Sequence, residues 1–360
     1  MNSNYTIEKK FPASEGISRV IVSRSDNRDA KGENFMNSAG DLLSKERDFL
    51  KCLDFSEGYG GVMLNRNSAN FIDSKGNFLS DENFNFIEIS RFSEGFSLVR
   101  KAENYKWNYI DKHGRMLSKI DFSRGSHFSQ GFAAVKIKDG EWNFIDKNGN
   151  FLLKETVTHA SSFSCGYARI KSKNKLWNYV NANGEFLFRD DERITEAEDF
   201  RSDVCLVKMD NGCWKFFDVN KNEISCGLDI LSAKNFINDF AIIETKKGFN
   251  YLKKDGKVLC PDIWFSQCSN FSGDFAVVRT KNGSYNYVSI GGQLISNEGF
   301  SWAKSWRKKG YGEVSLGSEK RYIDANGEIF NDLSELLRRR RFIKDAHRAY
   351  RDYLRRSSST

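Results

Sequence analysis

Proline is almost missing, with 2 residues in 360, which excludes a Pro-rich linker or recognition segment. Histidine is scarce at 4. His113, His127, His159 and His347 fall in no H-E-x-x-H or other ligand spacing, so each reads as a surface or turn residue. The 7 cysteines (Cys52, Cys165, Cys205, Cys213, Cys226, Cys260, Cys268) contain no C-x-x-C pair. An odd set so spaced argues against a disulfide framework and against a zinc site. No metal and no cofactor are expected, and a reducing compartment is the simpler setting. No apolar run approaches the roughly 18–20 residues of a membrane span. Met1 to Lys10 has no apolar core of a signal peptide. A cytoplasmic location is the expectation.

Aromatic residues are plentiful: 30 Phe, 13 Tyr and 7 Trp, within a chain that is 39% hydrophobic. Such a chain can bury a core and is not a solvated disordered one. The net charge is +8, and residues 332–360 hold 9 Arg/Lys against 4 Asp/Glu, or +5 of it. The body before the tail is close to neutral. It gives no general electrostatic case for nucleic acid.

The chain repeats itself. FSEGFSLVR then WNYIDKHGRML, FSQGFAAVK then WNFIDKNGNFL, and FSCGYARIK then WNYVNANGEFL follow one another from Phe92 to Leu187. The Gly-or-Asp before the first strand is Gly16, Gly58, Gly95, Gly131, Gly166, Asp203, Asp239, Asp274 and Gly310, nine copies spaced by 35 to 42 residues. The turn column runs Gly40, Gly76, Gly114, Gly149, Gly184, Asn222, Gly256, Gly291 and Gly327. The Trp column runs Glu33, Ala69, Trp107, Trp142, Trp177, Trp214, Phe249, Tyr285 and Lys320, aromatic in the middle and not at the ends. Atypical end units are what a stacked array predicts.

Each column has a local meaning. Phe132 to Ile137 has strand composition, and Lys138-Asp139-Gly140 is a turn signal. Trp142 to Ile145 is a second strand, apolar on both faces and so central in a sheet. Asp146-Lys147-Asn148-Gly149 has the Asp and Gly of a type I turn. Asn150 to Leu153 reads as a short third strand. Turn capping accounts for the Asp column (Asp73, Asp111, Asp146, Asp218, Asp324) better than a carboxylate ladder. About ten residues ending in F-S-x-G lead to the next unit. A unit of about 36 residues cannot bury its own face, so stability must come from stacking. The expected fold is all-β: three-stranded meanders stacked as an open twisted array over residues 11–331. Residues 1–10 are read as a leader and residues 332–360 as a helix. A closed β-propeller-like ring is the alternative.

These motifs resemble the WG-repeat family of bacterial arrays, whose unit reads roughly F-S-x-G-x-A-x-V, then W-G-Y-I-D-x-x-G. The likeness covers about residues 11–331. It is carried by Trp107, Trp142, Trp177, Trp214, Gly95, Gly131, Gly166, Gly114, Gly149 and Gly184. Where the family has Gly after the Trp, this chain has Asn34, Asn70, Asn108, Asn143, Asn178, Asn250 and Asn286, with Lys215 and Arg321 in two units. Gly and Asn share a tolerance for positive φ, so a special backbone angle is expected there. The hairpins also look like the aromatic hairpins of choline- and glucan-binding repeats. The resemblance implies a β-rich scaffold for binding or assembly and supplies no catalytic residues.

The tail from Asp332 has acids in its first turn and an apolar stripe of Leu336, Ile343, Ala346, Tyr350, Tyr353 and Leu354. It reads as a helical cap on the last repeat. Arg338, Arg339, Arg340 and Arg341 make it alternatively a docking element for an acidic partner, RNA or an anionic membrane. Gly58-Tyr59-Gly60-Gly61 precedes a strand, so it is no phosphate loop. Cys205 and Cys213 read as two buried thiols. The expected function is a non-enzymatic scaffold binding a protein partner. A glycan binder using exposed aromatic hairpins is the alternative, separated from it by whether the Trp column is buried.

Overall fold

A computed structural model describes residues 5–24, 27–81, 83–189, 191–342 and 344. The chain divides into two compact units, Met1–Arg193 and Ile194–Thr360. Repeats 1 to 5 belong to the first unit. Repeats 6 to 9 and a short C-terminal helix belong to the second. Both are all-β apart from that helix, and every sheet among the described residues keeps an open, linear strand order with no closed barrel.

Repeat 4 shows why these residues fold as they do. Phe132–Lys138 and Glu141–Asp146 form a hairpin, registered from Phe132↔Asp146 to Lys138↔Glu141. The third strand is not Asn150–Leu153, as the sequence suggests. It is Arg124–Gly125, which lies before the hairpin and pairs with Lys136 and Val135. The segment after the hairpin forms no strand and is tied to it by two isolated bridges, Ile145↔Phe151 and Trp142↔Val157.

F-S-x-G is likewise a turn, not a passage between units. Ser129 and Phe132 exchange both backbone hydrogen bonds, at 2.8 and 3.2 Å. Gln130 and Gly131 between them have φ of 53° and 89°. That is a two-residue hairpin with both central residues left-handed, the geometry that matches strand twist. Of the expected leader, residues 5–10 join the first repeat, because Tyr5–Ser14 pairs antiparallel with Ile17–Arg24; residues 1–4 lie outside the described residues.

Two members of the turn column are displaced. In repeat 6 the left-handed residue is Lys221, φ 66°, rather than Asn222. In repeat 8 it is Gly292, φ 83°, rather than Gly291. In Gly149 the demand is double: φ is 86°, and a Cβ there would lie 2.8 Å from the Leu117 carbonyl of the preceding repeat. The turn is pressed onto its neighbour.

Stacking supplies the core. Phe144 packs with Leu153, Val157, Ala160, Phe163 and Ile170, toward repeat 5. Ile145, on the other face of the same strand, packs with Tyr109 and Phe122 of the preceding unit and with Phe128. A strand apolar on both faces is thus sandwiched between neighbours. In the second unit, Phe216 packs with Phe236 and Leu252, and Tyr287 with Phe300, Trp306 and Val314, on the same plan. The fully buried aromatic column is Phe71, Tyr109, Phe144, Tyr179, Phe216, Tyr251 and Tyr287. It lies two residues after the Trp column, whose members Trp107, Trp142, Trp177 and Trp214 are only half-buried.

The helix spans 333–342. Asp332 Oδ1 accepts the Glu335 N–H at 2.9 Å, an N-cap. Leu336 is fully buried against Tyr311 and Phe330, so the helix covers the last repeat. Ile343, Ala346, His347, Tyr350, Tyr353 and Leu354 lie outside the described residues.

Candidate functional site

Three features recur along the first unit, and they divide cleanly between holding the stack together and facing outward. The first is a ladder of side chains joining the F-S-x-G turns. Ser14, Ser56, Ser93 and Ser129 each donate a hydroxyl to a carbonyl of the next repeat, those of Phe55, Phe92, Phe128 and Phe163, at 2.8–2.9 Å. The left-handed residue adds a second rung. Glu94 accepts the Gln130 and Gly131 N–H groups at 2.6 and 2.8 Å. Glu15 holds the Glu57 and Gly58 amides in the same way, at 2.7 and 2.9 Å. Burial alone would raise the Glu94 carboxyl. The Lys147 ammonium at 3.0 Å and the two amides outweigh it and hold it below the ordinary carboxylate range. The same balance, with Lys112, lowers Glu57.

The second feature is the Trp column. Three of the four rings lie beside a cation on the paired strand: Arg100 is 5.7 Å from the Trp107 ring, Lys171 5.0 Å from Trp177 and, in the second unit, Lys208 5.5 Å from Trp214. His159 stands 6.1 Å from Trp142 and 5.3 Å from Trp177. It is a packed ring, not the free connector residue its sequence position suggests. These rings carry cations and neighbouring rings against them, which leaves them poorly placed to stack a sugar.

The third feature faces outward. Two residues after each turn glycine stand Phe78, Met116, Phe151 and Phe186, one from each of repeats 2 to 5. They are 37%, 39%, 42% and 53% exposed. Two of them lean on the preceding repeat: Phe78 meets Phe49 at 6.3 Å and Phe151 meets Phe122 at 6.4 Å, both edge to face.

At repeat 5 it opens into a groove. The bridge partners of the Trp column are Phe49, Phe84 and Phe122 in repeats 1 to 3, and then Val157. With a valine where a phenyl ring stood, Phe186 has no edge to lean on. A cavity of about 720 Å³ lies there, lined by Leu152, Leu153, Lys154, Val157, Lys173 and Phe186. Its lining mixes these apolar side chains with polar ones, Glu155 and Asn174 among them.

Residues 71–107, 107–142 and 144–177 match the family described as WG containing repeat. These are three consecutive WG repeats. No curated protein sequence matches the chain. Among solved structures, BamB from Moraxella catarrhalis is similar over 78% of this chain and 92% of that one, at 12% identity and a TM-score of 0.32. The C-terminal WD40 domain of Sif2 is similar over 74% and 91%, at 11% identity and a TM-score of 0.30. The extracellular domain of BT3049 from B. thetaiotaomicron is similar over 88% and 49%, at 10% identity and a TM-score of 0.25.

The Asn column is held in an unexpected way. Among the described residues none of these asparagines has positive φ. The side chain acts instead. Asn143 Nδ2 donates to the Leu153 carbonyl at 2.9 Å, and its Oδ1 accepts the N–H groups of Leu153 and Phe144 at 3.0 and 2.8 Å. Asn34, Asn70, Asn108, Asn178, Asn250 and Asn286 make the same donation ten residues ahead. In repeat 4 the amide fills the gap between the Ile145↔Phe151 and Trp142↔Val157 bridges that tie the hairpin to the segment after it.

Asp146 Oδ1 accepts the amides of Asn148 and Asn150, at 2.9 and 2.8 Å, and Asp73, Asp111, Asp218 and Asp324 do likewise. Among the described residues no three His, Cys, Asp or Glu side chains gather to hold a metal, and no helix is long and apolar enough to cross a membrane. Cys205 is buried as expected, but Cys213 is only partly so. Arg338, Arg339, Arg340 and Arg341 are exposed. Arg339 pairs with Glu328, and Arg340 donates to the Lys309 carbonyl. The outward stripe is the feature that reading the WG columns alone passes over.

Proposed function

We propose that this chain is a non-enzymatic scaffold that binds a protein partner along the outward edge of repeats 2 to 5. The observation that carries the reading is the stripe of Phe78, Met116, Phe151 and Phe186, four large apolar side chains in a row, each at least a third exposed. A large apolar side chain left exposed at the same position of four successive repeats is the kind of surface that supports an interaction site. Every other aromatic column is occupied in stacking. The cations beside the Trp rings argue against the glycan alternative. The C-terminal helix is read as a cap, because Leu336 is buried on the last repeat.

The reading is tested by placing a photo-crosslinking amino acid at 151 or at 186, and as a control at Lys221, a partly exposed turn residue of repeat 6. A protein adduct is expected from 151 and 186 in the native cell and not from 221. The adduct should vanish when Phe78 and Met116 are changed to Ser. Equal capture at all three positions, or none at 151 and 186, would contradict it.

A further inference from the structure

We propose that repeats 8 and 9 hold a binding site for a small carboxylate with a flat ring, in a cavity lined by Tyr285, Trp302 and Arg279. The site uses none of the residues of the docking edge and does not depend on that reading.

The space comes from a change at one position of the repeat. In repeat 5, His159 lies across from Lys171, itself paired with Trp177. In repeat 9, Trp302 holds the same place, across from Ser315, itself paired with Lys320. His159 packs on Trp142 of the preceding repeat at 6.1 Å. The equivalent pair in repeats 8 and 9 is Tyr285 and Trp302, and among the described residues these two rings make no contact. Both line a cavity of about 240 Å³ instead. Val277 and Ala303 line it as well and pack on the core shared by the two repeats. Trp302 is left 42% exposed.

The charge of the ligand follows from Arg279, whose guanidinium is the one charged group in the lining. It stands 5.5 Å from the Tyr285 ring, and its Nε donates to the Gly283 carbonyl at 3.1 Å. Among the described residues it has no ion-pair partner, and neither of its Nη atoms has an acceptor. No carboxylate lines the cavity, and the other polar residues of the lining are neutral. Lys304, 5.8 Å from the Trp302 ring, is already engaged, with the Glu313 carboxylate 3.9 Å from its ammonium. One unmatched guanidinium calls for one negative charge. A carboxylate supplies it and takes two parallel hydrogen bonds from the guanidinium fork.

The body of the ligand follows from the two rings and the volume. Aromatic side chains favour another ring set against them, offset or edge on. The cavity is smaller than the roughly 300–1,000 Å³ of sites for drug-sized ligands, so its occupant is of amino-acid size. A free aromatic acid and the last residue of a peptide chain both present that chemistry, a carboxylate close to a flat ring.

The experiment uses the full chain and titrations read by NMR of the ligand. Phenylacetate is expected to bind at least tenfold more tightly than phenylacetamide, which lacks the charge, and than acetate, which lacks the ring. Arg279→Gln should erase the preference for acid over amide. Trp302→Ala should weaken phenylacetate at least tenfold. Both side chains are exposed, so both variants should keep the melting temperature of the unaltered chain. A tripeptide ending in phenylalanine with a free C-terminus separates the two sources. If it binds more tightly than phenylacetate, the site takes a protein C-terminus; if more weakly, it takes a free small acid, and either result supports the inference. Equal binding of acid and amide, unchanged affinity in both variants, or no saturable binding of either phenylacetate or the tripeptide overturns it.

Discussion

Asn143 and Leu153 bind each other twice: the amide Nδ2 donates to the Leu153 carbonyl at 2.9 Å and Oδ1 accepts its N–H at 3.0 Å. Both residues are buried. Replacing Asn143 by Ala leaves a buried carbonyl and amide without partners. Each buried polar group so orphaned costs about 1–3 kcal/mol. Asn143→Ala should therefore lower the denaturation midpoint clearly, while Asn150→Ala in the exposed turn should do so far less. Equal small effects would contradict the role given to the amide.

Glu94 sets a pH dependence. Its carboxyl is held below the ordinary range in the folded chain, so the unfolded state binds more protons wherever the two differ. Stability then rises with pH through that window. The contribution is complete above the unfolded carboxylate value near about 4.3 and is lost as pH falls through the lower folded one. Glu94→Gln should flatten the slope of stability against pH below about 4.3. An unchanged acid limb would show that the rung bears no load.

The thiols should separate by burial. Cys52, Cys205, Cys260 and Cys268 are buried, and Cys165, Cys213 and Cys226 are partly exposed. Burial pushes the Cys260 thiol up to about 11 and the Cys268 thiol up to about 12. Alkylation of the native protein at pH 8, read by mass spectrometry, should label the exposed three first. Early labelling of Cys268 would contradict the packing around it.

The cap has its own test. Leu336→Ala should cost about 2–5 kcal/mol, the usual range for a buried leucine. Arg338→Glu with Arg341→Glu should leave the melting curve in place. The opposite pattern would make the helix a charged element rather than a lid.

The frame of the array was legible because its columns are local. A Gly after a turn Asp, or a Trp after a hairpin loop, is read from a few neighbouring residues. The Asn column was misread because its partner is ten residues away and the contact runs through a side chain. Positive φ was the local explanation, and it was the wrong one. The third strand was misplaced for a related reason. Arg124–Gly125 has no strand composition and is held by pairing alone. The stripe had a signal that went unused. Phe78-Leu79, Met116-Leu117, Phe151-Leu152 and Phe186-Leu187 are adjacent apolar pairs in a segment at the sheet edge. Adjacent residues of an extended chain point to opposite sides, so one of each pair has to face outward.

The most direct test of the account is the melting temperature of a Phe151→Ser/Phe186→Ser double variant beside Phe144→Ala. If the stripe is free surface kept for a partner, the double variant melts close to the unaltered chain. Phe144→Ala loses about 3–5 kcal/mol and melts many degrees lower. If the double variant falls as far as Phe144→Ala, the stripe belongs to the core, and the docking edge does not exist.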